Sequence, residues 1–445
     1  MLKLFLMFFF FFTSGAFGFD SVKVSHEDIS LHSYGYFTTN KELSPLETLR
    51  YTEKNQLSLL PEKAKSFGFD ASTYWFRFDV STAQHEDFVL AVNNLVATSC
   101  ELFVFENNTL IRHEISGYSV PYELRPIRSI ALRFELETQK PNITYLVKIN
   151  SKNPHYTAFE FGTHEEVDKE LHLLLFIVIA VFAICFVMIF YNLALFFALK
   201  ESTYLFYCIY IGSYCVFLLS AYGFLPFFHP VFASIDLGIP ISISMQAMYV
   251  GLTLFTIHFL QLESYDPKLK KQLLYLLYFM LFATLLVPIG HGLEIIAVFS
   301  MVFFAFFLLY SVAKTYLKGY KPALFYLVAT GVAIICSMLF MNMNQGAGIP
   351  YTLWTFSISA FGLAWDVLFL SFAIAHRIGL LHEQNIQNER LLMLQSRQKS
   401  IGELTGNIAH QWRQPLSKIG SLLSMLEAKL KYEHIQKSEM LESIM

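Results

Sequence analysis

Charge is scarce in this chain. Asp, Glu, Lys and Arg make up 15% of its 445 residues, against roughly 25% in soluble globular proteins. The net charge of −3 gives no sign of a nucleic-acid partner. Cysteine is equally uninformative. Of five, Cys185, Cys208, Cys215 and Cys336 sit in apolar segments, and Cys100 alone precedes them, without a partner for an intradomain disulfide. No Cys/His spacing resembles a metal site. Glycine-rich loops of the P-loop or kinase type are absent as well. Disulfide scaffolds, metal centres and a self-contained nucleotide site are therefore poor starting points.

Apolar residues, by contrast, reach 55% and aromatics 17%, the balance of a membrane protein. Residues 1–18 (MLKLFLMFFFFFTSGAFG) have one lysine, an apolar run too short to span a bilayer comfortably, and small residues at the end. They read as a secretory signal peptide, with an uncleaved anchor as the alternative. Between 171 and 378 lie seven apolar segments, near 171–199, 203–228, 237–260, 272–290, 293–313, 323–343 and 353–375. Most have the ~20 residues that a ~30 Å hydrocarbon core requires. PIGHG alone separates the fourth from the fifth, which predicts a tight hairpin.

Charge sorts the loops. Lys200, then Lys268, Lys270 and Lys271, then Lys314, Lys318 and Lys321 follow the first, third and fifth segments, and Arg377 follows the seventh. The loops FFHPVFASID, PIGHG and NMNQGAGIPY contain no lysine or arginine. Positive charge stays cytoplasmic, so the N-terminal region is expected outside and the C-terminus inside.

Residues 19–168 are then an exported domain. Alternating runs at 73–80, 86–92, 100–106, 109–115, 129–137, 143–150 and 157–162, parted by ENN, SGYSVP and TQKPN, predict an all-β antiparallel sandwich or jelly roll. Tyr74, Trp75 or Tyr118 could stack on a sugar ring if exposed; the plainer reading makes them core or strand-face residues. Past the membrane, Ile378, Leu381, Leu391, Leu394, Ile401, Leu404 and Ile408 keep a helical period. Leu416, Ile419, Leu423, Leu426 and Leu430 resume it at 3-4-3-4 spacing, the seam of a dimeric coiled coil or helical bundle. Residues 379–400 form a looser coiled-coil linker, and 401–445 the tighter region. His410 falls two places after Ile408 and so points away from the seam. Pro415, lacking an N–H, is expected to kink the helix. In the seventh segment Asp366 is an ionisable group at membrane depth. Such a group is costly and marks either a switch or a packing hydrogen bond, with Asn192 and His258 as candidate partners.

Two resemblances cover nearly the whole chain. His410-Gln411-Trp412-Arg413-Gln414-Pro415-Leu416 resembles the phosphoacceptor region of two-component sensor histidine kinases, whose motif runs His, acidic, any, Arg, Thr or similar, Pro, Leu. The resemblance implies a homodimer in which His410 takes the γ-phosphoryl of ATP, bound with Mg2+, and passes it to a response-regulator receiver domain. Gln411 stands where the family has an acidic residue. It can accept a hydrogen bond from the imidazole but cannot act as a base. Gln414 stands where Thr or Asn would position a hydrolytic water. Phe190-Tyr191-Asn192-Leu193, Glu201, Tyr204-Leu205, Tyr207, Trp365-Asp366, Ser371 and Ala375-His376-Arg377-Ile378 resemble bacterial seven-transmembrane receptors with diverse intracellular signalling modules. Tyr74-Trp75-Phe76-Arg77-Phe78 and the stretch from Gly117 through Pro121 to Arg125-Pro126 resemble their jelly-roll sensing domain. That family implies a multi-pass protein of the bacterial inner membrane, in contact with lipid, with a periplasmic small-molecule ligand such as a carbohydrate.

An asparagine box and DxGxG segments, the marks of an ATP lobe, do not occur among these residues, so that lobe is expected from beyond residue 445 or in trans. The competing reading is a non-catalytic receptor or scaffold whose coiled coil docks a partner kinase. A transporter would need inverted repeats and broken helices, which the sequence does not suggest.

Overall fold

In the computed structural model the described residues are 20–443, except 71, 84–86, 138–142, 157 and 287–292. The signal peptide and the PIGHG hairpin lie outside them. The chain divides into two units, 1–373 and 374–445.

Among the described residues the first unit begins with nine strands: β1 Val22–Val24, β2 Ile29–Thr39, β3 Thr73–Thr82, β4 Phe88–Val92, β5 Ser99–Glu106, β6 Thr109–Ser116, β7 Leu132–Glu135, β8 Ile143–Asn150 and β9 Phe159–Thr163. They form two sheets, ordered β1-β9-β4-β7 and β2-β3-β8-β5-β6. All pairs are antiparallel except β1 with β9. Asn107 (φ 51°) and Asn108 (φ 64°) turn β5 into β6. Two successive left-handed residues match the twist of a two-residue hairpin, and asparagine tolerates them. Inner-face aromatics of the two sheets meet: Phe76 and Phe159 rings lie 4.7 Å apart, Phe78 and Phe161 5.3 Å. A helix, α1 Pro45–Lys54, starts on a capping box of Ser44 and Glu47. Leu49 from it joins Trp75, Phe103, Phe105 and Leu146 in a second small core.

This arrangement corrects the sugar-stacking reading. Tyr74, Trp75 and Tyr118 are only 5%, 2% and 3% exposed. Neighbours on a strand face opposite sides, and here both sides are covered, Tyr74 by the opposing sheet and Trp75 in the cluster that includes α1.

Among the described residues seven long helices follow: α2 His164–Leu199, α3 Ser202–Ala221, α4 Gly238–Phe259, α5 Pro267–Leu286, α6 Leu293–Leu317, α7 Ala323–Asn344 and α8 Leu353–Glu442. Thr163 and Glu166 cap α2 directly off β9. Among the described residues, six helices are long and apolar enough to cross a membrane; α5, which runs up to the undescribed 287–292, is not one of them. Large apolar side chains face outward along α2, including Phe176, Ile179, Phe186 and Phe190. In water such a face would be a liability, whereas lipid tails solvate it. In the loop between α4 and α5, Asp266 bonds Lys318 at 2.8 Å and Lys314 at 2.9 Å. These ammonium groups hold its carboxyl well below the usual carboxylate range.

The β domain is tied to the helices at several points. Buried Arg133 on β7 donates to Asp168 Oδ1 and to the Val167 carbonyl, both at 3.1 Å, at the start of α2. Tyr351 N donates to Ala64 O at 2.8 Å, Ser66 Oγ to Asn344 O at 3.0 Å, and Tyr156 hydroxyl to Asn344 Oδ1. Gly223, just after α3, has φ +73° and lies against the Leu95 carbonyl.

Candidate functional site

The α3 sequence places Tyr207, Tyr210 and Tyr214 at i, i+3 and i+7, one face of a helix. All three are buried, and each hydroxyl reaches α8. Tyr207 donates to the Val367 carbonyl at 2.9 Å, Tyr210 to Asp366 Oδ2 at 2.7 Å, and Tyr214 lies 3.1 Å from Ser359 Oγ and 2.8 Å from Ser337 Oγ on α7. Tyr222, capping α3, donates to the Phe356 carbonyl at 3.1 Å. Thr330 on α7 completes the set, donating to Asp366 Oδ1 at 3.1 Å.

Asp366 is fully buried, and its two oxygens take hydroxyl donors from different helices. One carboxyl thus fastens α3, α7 and α8 at the same level. In hydrocarbon a carboxyl group without partners would be very costly, so the pair of donors is what makes it tenable. Neither sequence-stated partner supplies them. Asn192 on α2, also fully buried, bonds its own helix through Nδ2 to Met188 O at 2.8 Å. The His258 ring lies 5.1 Å from that of Phe206, near the end of α4. A signal for tyrosine donors was present in the sequence: tyrosines at 3-3-4 spacing (204, 207, 210, 214) in an apolar helix align hydroxyls on one face. It does not say which group they meet, and nothing comparable marks Thr330.

In the second unit, α8 carries His410, Gln411, Arg413, Gln414 and Pro415, all exposed. Pro415 lies inside the helix without ending it. The expected kink therefore involves no break in helical structure: the missing N–H costs one backbone bond among many. At about 100° per residue, Arg413 and Gln414 sit one turn from His410 on the same side, and Gln411 beside it. The apolar positions Ile401, Leu404, Ile408, Leu416, Ile419 and Leu423 are 52–62% exposed in the single chain. Among the described residues no group of three His, Cys, Asp or Glu could hold a metal ion.

Comparison with known families places both halves of the first unit. Residues 34–163, from within β2 to the end of β9, match the 7TMR-DISM extracellular 2 family. Residues 174–377, from within α2 into α8, match the 7TM diverse intracellular signalling family. The chain is a transmembrane receptor with an extracellular N-terminal domain. It carries both domain types of the 7TMR-DISM receptors, the extracellular one and the 7TM one. A comparison with curated proteins found no match.

Proposed function

We propose that the receptor is the sensing part of a two-component histidine kinase in a bacterial inner membrane. Seven helices cross the bilayer, α5 among them, with the β domain periplasmic and α8 leading into the cytoplasm. A small molecule, a carbohydrate among the candidates, is sensed outside. The apolar seam of α8 pairs with that of a second copy, because a stripe of leucines and isoleucines left in water is unstable alone. On the dimer, a neutral ring nitrogen of His410 attacks the γ-phosphorus of ATP. An N–P bond forms, the bond to the bridging oxygen breaks, ADP leaves, and the imidazole proton passes to water, since Gln411 cannot take it. Phosphoryl transfer asks mainly for positioning and charge neutralisation. Arg413, one turn on, is placed to meet the phosphate charge. The ATP and its Mg2+ are held by a lobe outside these residues, and the phosphoryl group then moves to an aspartate of a response regulator.

The exposure of His410 beside Arg413 and Gln414 on a helix that Pro415 does not end is the observation that supports this reading. Its test is the receptor isolated from cells in which it signals. Acid-labile, alkali-stable phosphate on His410, lost together with signalling in His410→Gln, is the expected result. Unchanged signalling by that variant would instead make the chain a scaffold that docks a partner kinase.

A further inference from the structure

Beside the Asp366 cluster the membrane helices leave a cavity of about 260 Å³. Helices α3, α4, α6, α7 and α8 all contribute to its wall, and no charged side chain lines it among the described residues. Most of the wall is apolar and deformable. Five methionines, Met245, Met248, Met301, Met338 and Met341, face it together with Phe217, Phe304 and Phe340. Thioethers rotate freely and make favourable contacts with aromatic rings. One side is polar but neutral: the hydroxyls of Tyr214, Ser337 and Ser359, already bonded to one another, lie on it. Tyr249 lines the same space. Its ring packs edge-on against Phe304 at 5.3 Å, and its side chain is partly exposed. Asn342 and Gln345 lie at the outer end of α7 on the cavity's edge.

We propose that this cavity is a second ligand site, separate from the extracellular domain, for a neutral and largely apolar phenol or alcohol. Among the described residues nothing in the wall would compensate the desolvation of an ionic ligand, which favours a neutral one. The methionine and phenylalanine surface takes an apolar, preferably aromatic, body, and the Tyr249 hydroxyl takes the ligand's single hydroxyl. A 150 Å³ apolar cavity holds one benzene, so this one holds roughly ten heavy atoms. Tyr210 and Thr330 both line the cavity and both donate to Asp366. A ligand in the cavity therefore touches the two groups that fasten α8, and its occupancy reaches that helix through Asp366. The inference needs only the receptor class and stands whether or not His410 is phosphorylated.

The probe is 4-propylphenol, with propylbenzene as its counterpart lacking the hydroxyl, offered to the full chain in lipid nanodiscs against empty nanodiscs. Saturable binding to the loaded nanodiscs is expected, above simple partitioning into lipid. Tyr249→Phe should weaken 4-propylphenol about fivefold, the worth of one net hydrogen bond, and leave propylbenzene unchanged. Ala333→Phe, which fills the cavity, should abolish binding of both. Should that variant fail to fold, the selective effect of Tyr249→Phe decides alone. Binding that only follows lipid content, or that is indifferent to Tyr249→Phe, would overturn the site.

Discussion

The junction between the β domain and the membrane helices makes a quantitative demand at Gly223. Its φ of +73° suits glycine, and a Cβ built there would lie 2.5 Å from the Leu95 carbonyl oxygen. Ordinary contact begins at 3.4 Å, so Gly223→Ala requires a separation of about 0.9 Å between α3 and the 94–96 turn. That turn cannot yield cheaply. Asn94, Leu95 and Val96 are buried, and the Val96 carbonyl accepts a bond from Asn153 Nδ2 at 2.9 Å. Left-handed strain costs about 1–2 kcal/mol, and overpacking about 1–3 kcal/mol more. Gly319→Ala isolates the first contribution, since Gly319 has φ +98° and nothing within 4 Å of its Cβ position. The difference between the two variants, about 2 kcal/mol, belongs to the junction and corresponds to roughly thirty-fold faster local opening. Amide exchange at 93–97 in the detergent-solubilised receptor measures it. Equal exchange in the two variants would refute the argument that this carbonyl is rigidly docked on α3.

Two further outcomes follow from the same geometry. The His155 ring is buried against Tyr74 at 4.4 Å and bonds the Asp70 carbonyl at 2.9 Å. Burial pushes its pKa below the ordinary ~6.5, with the Asp70 charge opposing more weakly. The unfolded chain therefore binds the proton first, so stability is full above pH ~6.5 and falls as the pH drops through the folded value. Thermal unfolding at pH 7.5 and 5.5 should show a larger acid loss in the wild type than in His155→Gln, and equal losses would count against it. In the second unit, a cysteine replacing Leu394 should crosslink between copies in membranes, and Leu404→Asp together with Ile408→Asp should remove the crosslink. Persistence of the crosslink would show that the seam is not the dimer contact.

The chain's local patterns carried much of the architecture. The helices α2, α3, α4, α6 and α7 sit where apolar runs of bilayer length occur, because hydrocarbon thickness sets a length that composition alone reveals. Strands β3, β5, β6 and β8 sit where side chains alternate between apolar and polar, and Asn107-Asn108 turns where asparagines suit a left-handed pair. Strand β2 was not legible. Its ISLHSYGYFTT loses its alternation at His32-Ser33, where its register against β3 also shifts, and it forms by pairing along the whole of β3. The helix α1, which starts on the Ser44 and Glu47 capping box, was passed over, and with it the second small core in which Trp75 is buried.

Asp366 was recognisable from sequence as a group that must be satisfied, since any carboxyl at that depth must find donors. Which donors it found, Tyr210 and Thr330 rather than Asn192 or His258, depended on how α3 and α7 rotate against α8. Hydropathy and periodicity are properties of neighbours along the chain, so the sequence by itself determined the long helices and most strands. The partners of Asp366 lie 156 and 36 residues away, and the parallel β1–β9 pair spans nearly the whole β domain. Contacts at such separation are chosen by packing the whole bundle at once, and only the tertiary structure decided them.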